Sequence, residues 1–358
     1  MKKRGKILAV ILVVILSLGT IVGLAACGGM KTQVGVFLYK YDDAYIQTVR
    51  TALEKEFKGK DVNLKFYNGQ GEQATQSTQI DTALATTDVF IVNVVDNQSD
   101  AGKQIAKKIS DAGKKAIFFN REIVDEAINV NDSFSYVGTD PNKPGYMIGE
   151  MIADMIPDKA TFDKFDRNKD GFLNYVMLRA EKGNPEADGR TKYSVDEANR
   201  LLKAKLGLDY NPLKIVGEEQ VCDWDTAKAD LAMTNLIQSD KNNIDLVIAN
   251  NDGMAFGAVQ ALVKNGFNTP NVDQNDHNKY IPVFGVDALP QAIEYIKTNQ
   301  MTGTVKQDGE AMAKAITTIA MNIIEGKDLL AGSEYKFDEG SRKLRIPYTK
   351  ITANDVKK

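Results

Sequence analysis

Short unbroken apolar runs alternate along this chain with longer stretches in which apolar residues recur every three or four positions. Residues 33–39, 89–92, 116–119, 175–178, 246–249 and 283–286 form the first class. Runs of this kind predict parallel strands buried on both faces. The second class includes Tyr45, Val49, Ala52, Leu53 and Phe57. It also includes Ala227, Leu231, Met233 and Ile237, and then Ala311, Ala315, Ile319 and Ile323. Each set has the spacing of one helix face. Alternating strands and helices predict an open parallel sheet covered on both sides. The series is too long for one such sheet, so the expected fold is α/β with two doubly wound parallel-sheet lobes.

In such sheets ligands bind at the carboxyl ends of the strands. Here Tyr39 leads into Lys40, Tyr41, Asp42 and Asp43, with Tyr45 just beyond. Val92 leads into Asn93, Ala249 into Asn250, Asn251 and Asp252, and Val286 into Asp287. Leu178 is followed by Glu181, Asn184 and Glu186, and then by Arg190. Asn and Asp also cap helices, so for each residue alone both uses stay open. As a set, with Trp224 added, they suit a sugar. Carboxylate, amide and guanidinium forks match vicinal hydroxyls, and aromatic rings cover the C–H faces of a pyranose. Two lobes that close on the ring would exclude competing water.

The N-terminus adds a location. Lys2, Lys3, Arg4 and Lys6 precede an apolar stretch that ends in Leu24, Ala25, Ala26 and Cys27. This is the layout of a secretory signal, and its end resembles a bacterial lipobox, in which the cysteine is acylated. The alternative is an uncleaved anchor, because the stretch is about long enough to span a bilayer. In either case the bulk of the chain is expected outside the cell membrane. A net charge of −3 among 358 residues argues against nucleic acid as a partner. With Cys27 lipidated, Cys222 has no disulfide mate. One histidine, His277, in a polar segment expected to be an exposed loop, makes a Ser-His-Asp triad or a histidine-rich zinc site improbable. No GxGxxG or P-loop follows a strand.

At Tyr39–Asp43, at Tyr136 to Asp140, at Trp224 to Ala227, at Val247 to Asp252 and at Val283 to Pro290, the chain resembles the galactose/glucose-binding proteins of bacterial ABC uptake systems, a branch of the periplasmic binding protein type I fold. The resemblance covers the chain beyond residue 31. It implies a signal over 1–26 and a lipidated tether over 27–31. It further implies an N-terminal lobe of 32–139 and 306–344 and a C-terminal lobe of 140–305 and 345–358. The hinge would lie near Gly138–Thr139, Thr304–Val305 and Arg345–Ile346. Asp43 would accept the sugar 4-hydroxyl, Asn93 would meet the 6-hydroxyl region, and Arg190 would donate near the ring oxygen. Asn251 and Asp287 would hold hydroxyls on the far side, and Trp224 and Tyr45 would cover the two faces. Asn184 and Glu186 stand where the family has His and Asp, and Gln307 where it has Asn. These changes bear on which hexose is preferred.

Asp166-Arg167-Asn168-Lys169-Asp170-Gly171-Phe172-Leu173-Asn174 reads as an EF-hand loop, with oxygen donors at positions 1, 3, 5 and 9, a carbonyl at 7 and glycine at 6. Position 12 is Met177, inside a predicted strand. The resemblance implies that Asp245 supplies the missing carboxylate where the family has Glu, and that the ion is a structural Ca²⁺.

The sequence therefore predicts a lipid-anchored, monomeric solute-binding protein. It would capture a monosaccharide by closing and present it to an ABC permease, with a chemoreceptor or sensor kinase as a further partner. The rival readings are an exported glycosidase, using two of Asp43, Glu186, Asp252 and Asp287 as acid and base, and the sensing half of a LacI-type repressor. The N-terminus contradicts the second, since a signal stands in place of a helix-turn-helix.

Overall fold

The computed structural model describes residues 31–240 and 243–356; the signal segment and Cys27 lie outside them. The first lobe starts with β1 (Thr32–Leu38), α1 (Ala44–Phe57), β2 (Val62–Asn68), α2 (Gln73–Ala83), β3 (Val89–Val92), α3 (Ala101–Asp111), β4 (Lys115–Phe119), α4 (Asp125–Ile128) and β5 (Ser135–Gly138). The second lobe follows, with α5 (Lys143–Met155), α6 (Lys159–Phe165), β6 (Leu173–Arg179), α7 (Pro185–Leu206), β7 (Leu213–Ile215), β8 (Gln220–Val221) and α8 (Thr226–Asp240). It continues through β9 (Leu246–Ala249), α9 (Asp252–Lys264), β10 (Val283–Asp287), α10 (Pro290–Lys297) and β11 (Gly303–Gln307). The chain then returns to the first lobe for α11 (Gly309–Ile324) and β12 (Lys343–Arg345), and ends in the second with β13 (Tyr348–Thr352) and α12 (Ala353–Val356).

The first sheet runs β12-β5-β4-β3-β1-β2 and the second β13-β11-β10-β9-β6-β7, with β8 beside β6. All pairings are parallel except β11 with β13. Each sheet has apolar clusters on both faces, and all four residues of β3 and of β9 are buried. In both sheets the strand order reverses beside the lobe's first strand, between β1 and β3 and between β6 and β9. Open α/β sheets present ligand crevices at such switch points.

Three details depart from the sequence reading. The apolar stripe of α8 is Ala229, Met233 and Ile237, while Leu231 is 63% exposed. The turn 276–279 does not leave His277 fully exposed, because its ring packs 4.2 Å from that of Phe165. The second crossing lies at Asp308 and not at Thr304–Val305, because β11 stays paired with β13 as far as Gln307. Strands β2, β5, β7, β8, β11, β12 and β13 are not among the predicted apolar runs. β2 sits at an edge, where alternate residues meet solvent.

Chain crossings at Thr139, Asp308 and Ile346 join the lobes. They are tied by the Ile346 N–H on the Gly138 carbonyl at 2.7 Å and by the Thr139 and Tyr348 hydroxyls at 2.8 Å. Helix α7, which carries much of the cleft, is pinned against α5 through glycines. A Cβ on Gly145 would lie 2.6 Å from the Gly189 carbonyl oxygen, and one on Gly149 would lie 2.7 Å from Glu197 Cβ and 2.8 Å from the Ala198 nitrogen. Gly149→Val should therefore force the helices apart at a cost of about 1–3 kcal/mol or more, exceeding any gain from replacing a helical glycine. Urea unfolding checks this, and an unchanged midpoint would contradict the close approach.

Candidate functional site

The strand-to-helix turns of both lobes face one another across a small, narrow cavity. Nine of the ten residues expected at a ligand site line it: Asp43, Tyr45, Asn184, Glu186, Arg190, Trp224, Asn251, Asp287 and Gln307. Capping and lining are not alternatives here. Asp43 Oδ1 caps α1 through the Ile46 N–H at 2.8 Å, while Oδ2 accepts from the Tyr39 hydroxyl at 2.5 Å. Asn184 caps α7 through the N–H groups of Glu186 and Ala187, and Asn251 caps α9 through that of Met254. The unpaired N–H groups of each first turn call for such a side chain, and all three residues also line the cavity.

Arg190, on α7, is 4% exposed. Nη1 donates to the Asn250 carbonyl at 2.8 Å. Nη2 donates to Gln307 Oε1 at 2.8 Å and reaches the Tyr348 hydroxyl at 3.3 Å. Burial disfavours its charge, but Tyr348, Asp287 and Glu186 outweigh that and raise its pKa. Its Nε and the Trp224 Nε1 are buried without a hydrogen-bond partner, and the guanidinium lies 5.6 Å from the Trp224 ring centroid. Buried donors in a native interior are normally satisfied, so this wall is built to receive an acceptor. Trp224 is presented from a turn in which Asp223 and Trp224 both have positive φ, 49° and 63°. Its back packs on the second-lobe core beside Cys222, whose thiol burial pushes up to about 11.

Asp287 ends β10 at φ 124°, followed by Ala288 at 56°, a strained turn of the kind found at ligand sites. Asp252 supports it from behind, accepting from Thr304 Oγ1 at 2.7 Å and the Leu289 N–H at 2.8 Å. Only glycine fits at 285, where a Cβ would lie 2.3 Å from Asp252 Oδ1. Burial raises both carboxyl pKa values, that of Asp252 to about 7; Arg190 opposes this in each, and Asp252 pushes Asp287 up further.

Asn93 is the exception. It is fully buried, and its amide joins strand ends, accepting from the Tyr39 N–H at 3.4 Å and donating to the Phe119 carbonyl at 3.1 Å. Asn250 does the equivalent in the second lobe, accepting from the Ala180 N–H at 3.2 Å. These two asparagines staple the switch points, and Asn93 is absent from the cavity wall. Three lining residues were not expected there: Tyr39, Asn120 and Arg121. Asn120 and Arg121 follow β4, so the rule that polar residues after a strand mark the site applies to them as well.

In the loop 166–174, Gly171 has φ 86°. Asp166 accepts the N–H groups of Asp170 and Gly171, Asn168 that of Asp170, and Asp170 that of Phe172. Asp245 closes the loop with both oxygens, on the Arg167 N–H at 3.0 Å and the Asn174 N–H at 2.7 Å. Lys214 Nζ lies 3.1 Å from Asp170 Oδ2. Among the described residues no three acidic, histidine or cysteine side chains gather at one point. The candidate ligand atoms are nonetheless all oxygen, which fits a hard cation, although Asp170 Oδ1 already accepts from both the Phe172 N–H and Asn174 Nδ2.

Comparison with known proteins places these features in a family. The profile of the periplasmic binding protein domain matches residues 34–328. The chain is 32% identical over 329 residues to the D-galactose/methyl-galactoside binding periplasmic protein MglB of Haemophilus influenzae, covering 90% of each. Its fold is similar to that of an ABC transporter solute binding protein from Bacillus halodurans with bound myo-inositol, at a TM-score of 0.71 and 23% identity, covering 91% of this chain and 96% of that one. It is equally similar to a periplasmic solute binding protein from Actinobacillus succinogenes with bound D-allose, at 0.71 and 21%, covering 91% and 99%.

The staple role of Asn93 has a measurable consequence. Asn93→Ala leaves the Tyr39 N–H unpaired in the interior and takes one of two donors from the Phe119 carbonyl, which keeps the Arg121 N–H at 2.9 Å, at about 1–3 kcal/mol. Urea unfolding should show that loss, and an unchanged midpoint would return Asn93 to a role in the cleft alone.

Proposed function

The chain belongs to the periplasmic binding protein family, and on that premise we propose that it captures a monosaccharide of the D-galactose/D-glucose type between its lobes and delivers it to an ABC permease. It is a binding protein and not an enzyme, as its relatives are. The observation that carries the ligand class is the wall of the cleft, where paired polar forks from both lobes surround one aromatic-lined cavity with two unpaired donors, Arg190 Nε and Trp224 Nε1. Three of the four carboxylates a glycosidase could use are committed as acceptors. Asp43 holds Tyr39 and Ile46, Glu186 holds Glu122 and Asn97, and Asp252 holds Thr304 and Leu289. A sugar that touches both lobes favours the closed form by its differential binding energy, and the permease would read the closed pair of lobe tips. We further infer anchoring through Cys27, which lies outside the described residues, action as a monomer, and a chemoreceptor or sensor kinase as a second partner for the closed form. Among the described residues no helix is long and apolar enough to cross a membrane.

Trp224 is the single tryptophan, so its emission should change saturably when the soluble domain is titrated with aldohexoses, pentoses and polyols. Arg190→Lys keeps the charge but loses the fork. It should weaken binding roughly tenfold or more, the equivalent of about 1.5–3 kcal/mol. Silence across the panel, checked by calorimetry, would reject the sugar reading.

We also infer that the loop 166–174 holds a structural calcium through Asp166, Asn168, Asp170, the Phe172 carbonyl, Asn174 and Asp245, cross-linking the second lobe near β6. The oxygen-only donor set and the glycine at the sixth position support this. Lys214 on Asp170 would compete with the ion. Adding calcium to chelator-treated protein should stabilise it by about 2.7 kcal/mol at a hundredfold excess over Kd, and Lys214→Ala should lower the calcium needed. Calorimetric melts with and without chelator test it; no shift at millimolar calcium would exclude the site.

A further inference from the structure

The cleft is bridged by the protein's own side chains. Arg121, at the end of β4 in the first lobe, donates through Nη2 to Glu181 of the second lobe at 2.8 Å. Beside it the carboxylate of Glu186 crosses in the other direction, accepting the Glu122 N–H at 3.0 Å and approaching Asn97 Nδ2 at 3.5 Å. Gln307 Nε2 donates to Asn120 Oδ1 at 2.9 Å. Gln98 packs so closely on the facing loop that a Cβ on Gly183 would lie 2.6 Å from its Oε1.

Each half of the ion pair is held by its own lobe. The Arg121 guanidinium lies 4.2 Å over the Tyr39 ring centroid and donates through Nη1 to the Val95 carbonyl at 2.5 Å. Glu181 Oε1 accepts Asn184 Nδ2 at 3.0 Å. An exposed ion pair is weak largely because two free side chains must be ordered and water screens them. Here the ordering is done within each lobe, and the side chains are 9% and 28% exposed once they meet. The two halves also rest on cavity residues, since Tyr39 donates to Asp43 and Glu181 accepts from Asn184.

We propose that Arg121, Glu181 and Glu186 form a latch that draws the lobes together, so that closure does not depend on the sugar alone. Arg121 and Glu181 are positioning residues. The latch sets the fraction of protein that is closed before ligand arrives, and apparent affinity scales with that fraction. Glu186 spends its carboxylate on the other lobe, so its place in the wall makes it a bridge before it is a sugar acceptor. The proposal rests on the two-lobe closure described above but not on the identity of the ligand.

Glu181 lies outside the cavity wall, which makes Glu181→Ala the decisive variant. Small-angle X-ray scattering of ligand-free protein should show a larger radius of gyration for Glu181→Ala and Arg121→Ala than for the parent, and a smaller increase for Glu186→Gln. Thermal melts would confirm that each variant is folded. With the sugar selected by the fluorescence panel, Glu181→Ala and Arg121→Ala should each raise Kd by a similar factor, on the order of threefold to tenfold. Their double variant should be no worse than the weaker single one. Ligand-free scattering of Glu181→Ala that superimposes on the parent would overturn the latch. Because that arm contains no sugar, it is decided even if the panel gives no ligand.

Discussion

Every parallel strand that reaches the cleft must hand over to a helix whose first N–H groups have no partner inside the helix. That requirement places a short polar side chain at the carboxyl end of one strand after another, and the sheet order aims these ends at one crevice. Asp43, Asn184 and Asn251 meet it directly. Each spends an atom on its own helix, which fixes the side chain, and all three residues line the cavity. The polar wall is therefore rigid before any ligand arrives, and it is rigid for a reason that belongs to the fold.

What lies behind that wall keeps it in place. Asn93 and Asn250 staple the two switch points, and Asp252 holds the strained turn at Asp287 through Leu289 and Thr304. Arg190 ties Asn250, Gln307 and Tyr348 together at the hinge side of the cleft. Its buried charge is tolerated because acceptors and anions surround it. The close glycine contacts between α5 and α7 set the depth at which these groups stand. On this account the family's two-lobe movement is a rotation of two prebuilt half-sites about Thr139, Asp308 and Ile346, with few side chains left to rearrange.

Much of this was legible in the chain. Continuous apolar runs located six interior strands, because a strand covered on both faces has no polar side to show, but missed β5 and β11, which also lie inside their sheets. Edge strands such as β2 escaped, since one of their faces meets water. Leu231 misled because it falls at a plausible helical spacing, yet the buried stripe of α8 lies on Ala229, Met233 and Ile237. Residues after strands pointed to the cleft at seven positions, while Trp224 was added as an aromatic cover and Gln307 came from the family resemblance. The same logic placed Asn93 there, where a fully buried amide is consumed by backbone groups that only the strand order brings near. Arg121 and Glu181 are each ordinary in sequence; their meaning comes from lying in different lobes and meeting across 2.8 Å.

A crystal structure of the protein grown with the aldohexose that gives the strongest Trp224 response tests the central claim most directly. The expected result is a sugar ring between Trp224 and Tyr45, with its hydroxyls on Asp43, Asn184, Arg190, Asn251 and Asp287 and with the Arg190 Nε satisfied. A sugar bound outside the cleft, or touching one lobe only, would contradict it.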